Sequence, residues 1–415
     1  MSWYLRSIID LVSRFLSPTT MHFPLHKVDK PLEHIHPENN NLPGLSNEQA
    51  AHGLVALVDH SEHHTDVSQG IHASTHTLFN IPWIHSLIPG IEKLAAEYHI
   101  GNFVALRGSK EQIFEAMPIY ARIGMHLLFY GNEQIKVLHS QTVESLLKEQ
   151  SIKEGKLYDS PDSTASIPSF VSTYSLDTSE LLEPDVTKYK TFNEFFSRKL
   201  KPDARPVENA DDPLAICSAA DCRLTVYQTI DLAKQFWIKG REFTIPNLLG
   251  EDPSSEKSSV FDGASVAIFR LAPADYHRFH SPIDGTVADT DIVHIPGQYY
   301  TVNPQAVNEP GFDVFTANTR SVLYLTHAAT GLPVAFVAIG ALLVGSIGWT
   351  NGGEKGKAIK KGDELGYFAY GGSTVVAVFP KGVIEFDADL VANSVVPVET
   401  LVKVGNSLGK TPAKV

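Results

Sequence analysis

YFAYGGSTVVAVFP, Tyr367 to Pro380, places two glycines and two hydroxyl residues between two short runs of β-branched and aromatic side chains. Such runs form strands, and glycine inside a strand pattern marks a bulge, a tight bend or a close backbone approach. The same texture recurs upstream. Beyond Pro206 come CRLTVYQTI (222–230), SVAIFRLA (265–272), GTVADTDIV (285–293), YYTVN (299–303), SVLYLTH (321–327) and PVAFVAIG (333–340), divided by Gly, Pro, Asn and Asp. The pattern predicts an α+β chain whose mainly antiparallel β domain follows a helical N-terminal region. There is no fixed-period repeat, and no glycine-rich loop opens a helix that would cradle a nucleotide.

Working outward, Thr191–Pro206 reads as a short helix with Phe192, Phe195, Phe196 and Leu200 on one face, ended by Pro202. The polar run KEGKLYDSPDSTAS (153–166) reads as a linker and places a boundary between an accessory region, 21–152, and a domain at 166–415. Within the accessory region, about 20–80 is expected to be loop, being rich in His, Asn, Pro and Ser, and about 81–150 helical. The histidines of DHSEHH (59–64), with His72 and His76, match no established zinc spacing, and no metal site is assigned. Residues 1–20 predict an amphipathic helix: Leu5, Ile8, Ile9, Val12, Phe15 and Leu16 share one face before Pro18. It would lie in a membrane interface or against the protein's own core.

Composition narrows the function classes. A formal charge of −13 over 415 residues argues against a general nucleic-acid binder. Two cysteines, Cys217 and Cys222, are too few for a disulfide framework or a zinc site by themselves. The longest stretch without Asp, Glu, Lys or Arg, between Arg320 and Glu354, is broken by Gly340, Gly345, Ser346 and Gly348, and reads as buried strands rather than a spanning helix.

Three pieces of the β domain carry chemistry-bearing residues: SAADCRL with Asp221, DYHRFHSPIDG with His277 and His280, and YGGST with Ser373. Asp, His and Ser are the types that make an oriented base beside a hydroxyl nucleophile. Each also has a plain structural reading: a turn carboxylate, packed histidines, a hairpin serine. His277 and His280 would face opposite sides of a strand and share a face only on a helical turn. The G-x-S-x-G elbow of serine hydrolases is absent. A serine preceded by an unhindered glycine has another target, the carbonyl of Gly372.

Five blocks, Thr191–Pro206, Trp237–Gly250, Leu271–Gly285, Tyr299–Glu309 and Lys360–Phe379, together resemble the phosphatidylserine decarboxylase family over roughly 165–407. IYARIGMHLLFYG (119–131) also resembles the region ahead of that domain in some eukaryotic members. The resemblance implies a self-processing carboxy-lyase. Ser373, activated by His280 with Asp221 orienting the imidazole, would attack Gly372; elimination and hydrolysis would then leave a pyruvoyl group at position 373. The products would be chains 1–372 and 373–415, held together by a shared core. The pyruvoyl carbonyl would take up the substrate amine and act as electron sink for loss of CO2, with His277 assisting decarboxylation or reprotonation. The implied substrate is phosphatidylserine, met at a mitochondrial or endomembrane surface by peripheral contact.

Two departures bear on substrate choice. Members commonly read P-A-D-G where this chain has Ala219-Ala220-Asp221-Cys222, and N-E-R where it has Asn318-Thr319-Arg320. A related branch decarboxylates free aromatic amino acids, which is the competing reading and would suit a cytosolic protein. A non-catalytic binding homologue, left uncleaved, is a further one.

Overall fold

The computed structural model describes residues 47–73, 101–109, 111–116, 118–134, 143–240, 243–309, 311–343, 346–370, 373–396 and 398–413. The expected N-terminal helix and the Gly371–Gly372 pair lie outside them. Five helices build the layer ahead of the β domain and its junction: α1 (Asn47–His63), α2 (Ile119–Gln134), α3 (Val143–Tyr158), α4 (Ile167–Tyr174) and α5 (Phe192–Phe196). The strands are β1 Gly101–Leu106, β2 Gln112–Ala116, β3 Ala215–Cys217, β4 Cys222–Tyr227, β5 Ser265–Leu271, β6 Arg278–His280, β7 Gly285–Val287, β8 Val293–Ile295, β9 Arg320–His327, β10 Pro333–Gly340, β11 Ile347–Trp349, β12 Ala358–Ile359, β13 Glu364–Phe368, β14 Ser373–Phe379, β15 Glu385–Phe386, β16 Glu399–Val402 and β17 Ser407–Lys410.

The main sheet runs β12-β7-β9-β10-β14-β5-β4-β16-β1-β2, with β8 also on β9, and all its strand pairs are antiparallel except β1 with β16. Two three-stranded sheets, β11-β13-β6 and β15-β17-β3, complete an α+β fold. Because side chains alternate along a strand, the main sheet buries two faces. Val266, Ile268, Val376 and Val378 pack under the helices. Ala267, Phe269, Val375 and Ala377 pack against Phe279, Leu365 and Phe368 of the small β11-β13-β6 sheet. β14 is central, paired with β10 on one side and β5 on the other.

Several sequence expectations are corrected. Within the presumed loop of 20–80, α1 forms because Ala50, Leu54, Leu57 and Val58 recur at helical spacing and are all buried. QIFEA, expected to be helical, is β2 of a hairpin whose turn uses Gly108 at φ +77°, a left-handed conformation that glycine adopts without steric cost. The presumed linker 153–166 is instead the last part of α3 followed by a 3₁₀ turn at Pro161–Ser166. Its buried stripe continues through Gln150, Ser151 and Glu154, polar residues that hide the apolar period. The β1–β2 hairpin extends the main sheet, and the helices share one apolar core with the β domain.

YYTVN, expected as a strand, is not one. Asn318 occupies its ladder groups: Oδ1 accepts the Tyr300 N–H at 2.8 Å, and Nδ2 donates to the carbonyls of Tyr300 and Gly340 at 2.8 and 3.0 Å. Arg320, from the same divergent triplet, donates from Nε to the Leu248 carbonyl at 2.8 Å. A fully buried amide that closes three backbone bonds leaves all three unpaired when removed. Asn318→Ala is therefore expected to lower the unfolding free energy by about 2 kcal/mol, read by chemical denaturation as a lower midpoint at unchanged slope.

Candidate active site

Ser373 is the first residue of β14, its backbone facing Gly340 on β10 and Leu271 on β5. Strand alternation puts its side chain on the face of Val375, beneath the small sheet, and Thr374 on the helix-facing side with Val376. Ser373 is fully buried, and among the described residues its Oγ has no hydrogen-bond partner. Burying an unpaired hydroxyl costs about 1–3 kcal/mol, so the surrounding ladder must hold it there.

The small sheet carries both histidines on one edge. β13 pairs with β6, with His280 opposite Glu364, and the Phe368 N–H donates to the His277 carbonyl at 2.9 Å. His277 is fully buried; its Nδ1 donates to the Asp275 carbonyl at 2.9 Å, and its ring lies 4.0 Å from that of Phe196. His280 Nδ1 donates to the Gly362 carbonyl at 2.8 Å, and Nε2 lies 3.2 Å from the Tyr276 hydroxyl. A carbonyl only accepts, so Nδ1 carries the proton in both rings and Nε2 is the basic atom. Burial lowers the His280 pKa; the Gly362 bond and the charges of Glu364 and Asp221 act the other way, while Arg278 adds to the lowering.

Asp221 sits close enough to His280 to bias its charge, but its hydrogen bonds go elsewhere. Arg205 Nε meets both carboxylate oxygens at 3.0 Å, Nη2 meets Oδ2 at 2.7 Å, and the Val404 N–H donates to Oδ1 at 2.8 Å. The structure thus gathers Asp221, Arg205, Tyr276 and His280 into one cluster, and the Gly362 carbonyl is the group that orients His280. The described residues contain no hydrogen-bonded Asp–His–Ser chain.

A second polar network approaches His277 from behind. Arg223 bridges Asp275 and Glu115, its Nε 2.8 Å from Glu115 Oε2, and Arg270 Nε meets Glu399 at 2.7 Å. Asp275 also accepts the Ala272 N–H at 2.7 Å, so the turn that carries His277 is fixed by that bond and by charges from β2 and β4. Sequence reading missed Arg205, Glu115 and Arg223, whose side-chain partners lie 16 or more positions away in the chain, and Tyr276, whose hydroxyl faces His280 four positions on.

Of the histidines considered as metal ligands, His60, His64 and His72 are otherwise engaged, and His76 lies outside the described residues. His60 stacks on His64 at 3.8 Å, and both ring nitrogens of the buried His72 meet tyrosine hydroxyls, of Tyr174 and Tyr370. Among the described residues, no group of three His, Cys, Asp or Glu side chains is arranged to hold a metal ion, and no helix is long and apolar enough to cross a membrane.

Comparison with known proteins covers the segments that build this site. A sequence profile described as phosphatidylserine decarboxylase matches residues 192–410. The chain is 46% identical over 299 residues to phosphatidylserine decarboxylase proenzyme 2 of Komagataella phaffii, covering 72% of this chain and 28% of that one. It is 44% identical over 332 residues to a proenzyme 2 of Oryza sativa subsp. japonica, covering 79% and 51%. With the phosphatidylserine decarboxylase proenzyme of Fusobacterium nucleatum it shares 36% over 255 residues, 61% of this chain and 81% of that one. It therefore spans about half or less of the length of the first two relatives and most of the bacterial one. The profile takes in α5, both histidines and the strand headed by Ser373, and on that match the chain belongs to the phosphatidylserine decarboxylase family.

Proposed function

We propose that this chain is a pyruvoyl-dependent carboxy-lyase that converts phosphatidylserine to phosphatidylethanolamine and CO2 after cutting itself between Gly372 and Ser373. The observation that carries the proposal is the Ser373 hydroxyl: buried, without a partner among the described residues, and heading a central strand immediately after two glycines in the sequence. Such a hydroxyl lacks the solvation that would quench it as a nucleophile, and its nearest electrophile is its own preceding peptide bond. The catalytic unit is assigned to 166–415.

In this reading His280 Nε2 accepts the Ser373 proton as Oγ attacks the Gly372 carbonyl. The Oγ–carbonyl bond forms, the Gly372–Ser373 peptide C–N bond breaks, and the freed amine takes the proton. Loss of the Cα proton then expels the Gly372 carboxylate from Cβ, and water converts the resulting enamine to a ketone with release of ammonia. Arg205 holds the Asp221 carboxylate, whose charge favours the imidazolium formed on His280. The residues fit the group so formed, since it is built from the atoms of Ser373 itself, which is fully buried. The pyruvoyl ketone, when present, supplies the electron sink for loss of CO2. His277 Nε2, held in place through Nδ1, is positioned to deliver or remove a proton. Chains 1–372 and 373–415 stay together because β14 is laddered on both sides by strands of the larger one.

The lipid headgroup brings the reaction to a bilayer surface, and the amphipathic segment at 1–18 is assigned to peripheral contact with it.

Intact mass of the purified chain, combined with CO2 release from phosphatidylserine vesicles and from free aromatic amino acids, tests the function. Two chains split at 372/373 and release from vesicles alone are expected; release from free amino acids alone would overturn the substrate. Ser373→Ala is expected to yield one uncut chain without decarboxylase activity, and residual activity would exclude the pyruvoyl route. Because burial lowers the His280 pKa, the neutral, base-competent imidazole persists below its ordinary value of 6.5. The self-cleavage rate should accordingly stay flat from about pH 8 to about pH 6.5 and fall only under that. A decline already complete at pH 6.5 would remove His280 as the base. Deleting residues 1–18 is expected to weaken vesicle sedimentation without slowing self-cleavage.

A further inference from the structure

Three residues before Ser373, Tyr370 is held by groups from distant parts of the helical layer. Its peptide N–H donates to Asn193 Oδ1 at 2.8 Å, and Asn193 Nδ2 is in turn anchored on Asp159 at 2.7 Å. Its phenol meets His72 Nε2, contributed from 298 positions earlier in the chain, and His72 Nδ1 lies 2.8 Å from the Tyr174 hydroxyl. The Tyr370 ring is enclosed by Tyr158 at 4.3 Å, Phe196 at 5.0 Å and His72 at 5.2 Å. The His72 end is tied down too, since the Ala73 carbonyl accepts the Ile119 N–H at 3.1 Å. Burial pushes the His72 pKa down to about 3, so the ring is neutral under ordinary conditions and acts through hydrogen bonds alone.

The neighbouring residues are fixed as well. Phe368 and Ala369 bond to His277 and Ser346, and on the far side Ser373 enters the β14 ladder. The described residues on both sides of Gly371–Gly372 are therefore anchored. An aromatic core needs no such convergence of an amide, an imidazole and a phenol on one tyrosine, whereas aligning a carbonyl with a nucleophile does need fixed ends.

We propose that His72, Tyr174 and Asn193 are positioning residues for self-cleavage. By clamping Tyr370 they hold the upstream flank of Gly371–Gly372 so that the Gly372 carbonyl is presented to Ser373 Oγ. The helical layer is then part of the maturation machinery of the β domain. This rests on the self-cleavage reading above.

The test follows conversion of the full-length chain by intact mass after synthesis, in the wild type and in Tyr370→Phe, His72→Leu and His72→Gln, with thermal unfolding midpoints alongside. Tyr370→Phe keeps the ring and loses only the hydroxyl; it should convert about tenfold more slowly or worse with little change in midpoint. His72→Leu fills the space but bridges nothing and should be slow. His72→Gln, which offers both a donor and an acceptor, should recover most of the rate. Wild-type rates in Tyr370→Phe would overturn the clamp, as would Leu converting as fast as Gln, the order expected from packing alone. Should His72→Leu not fold, Tyr370→Phe decides the matter. A wild-type chain that never splits at 372/373 would overturn the self-cleavage reading and the clamp together; equal splitting in wild type and variants overturns the clamp only.

Discussion

The arrangement depends on one costly placement: a serine hydroxyl with no partner among the described residues, folded into the apolar face of a central strand. Left alone, the chain would relieve that cost by turning the hydroxyl to solvent or to a backbone carbonyl. It is prevented because β14 is laddered from Ser373 to Val378 on both sides, and on to Phe379 against β5, and a one-residue slip would exchange the two buried faces along the whole strand. Register enforced by two apolar cores is what keeps a reactive group in an unfavourable setting, and sites that store strain generally need this kind of over-determined surround.

Both histidines are oriented by backbone carbonyls, Asp275 for His277 and Gly362 for His280. This gives each ring a single tautomer through a neutral acceptor. The nearby charges are instead paired off, Asp221 with Arg205, and Arg223 with Asp275 and Glu115. Breaking one member of such a buried pair leaves its partner uncompensated, so these residues fix geometry more than they add net stability.

Much of this was legible in the sequence and some was not, for physical reasons. The strands of the β domain announce themselves through β-branched runs such as Val375–Val378, and the glycine pair before Ser373 pointed to the peptide bond at issue. The grouping of Asp221 with His280 was readable as neighbourhood but not as bonding, because a carbonyl such as that of Gly362 has no side-chain signature. The helical layer was misread where polar residues take core positions: Gln150, Ser151 and Glu154 on α3, and His72, whose polarity suggested a ligand or a solvated loop when in fact it is buried between tyrosines. β2 was misread because QIFEA is short enough to fit either period.

The parallel pairing of β1 with β16 joins Val104 to Glu399, and β2 reaches the sheet only through β1. A ribosome delivers Val104 long before Glu399. The hairpin at 101–116 must therefore wait, its edge unfilled, until Glu399 has emerged, and the Glu115 contact to Arg223 that braces the His277 turn itself spans 108 positions. Contacts of such sequence separation make folding slow. The order of synthesis thus acts as a timer, closing the β1–β16 seam only after β14, with Ser373 at its head, has been made.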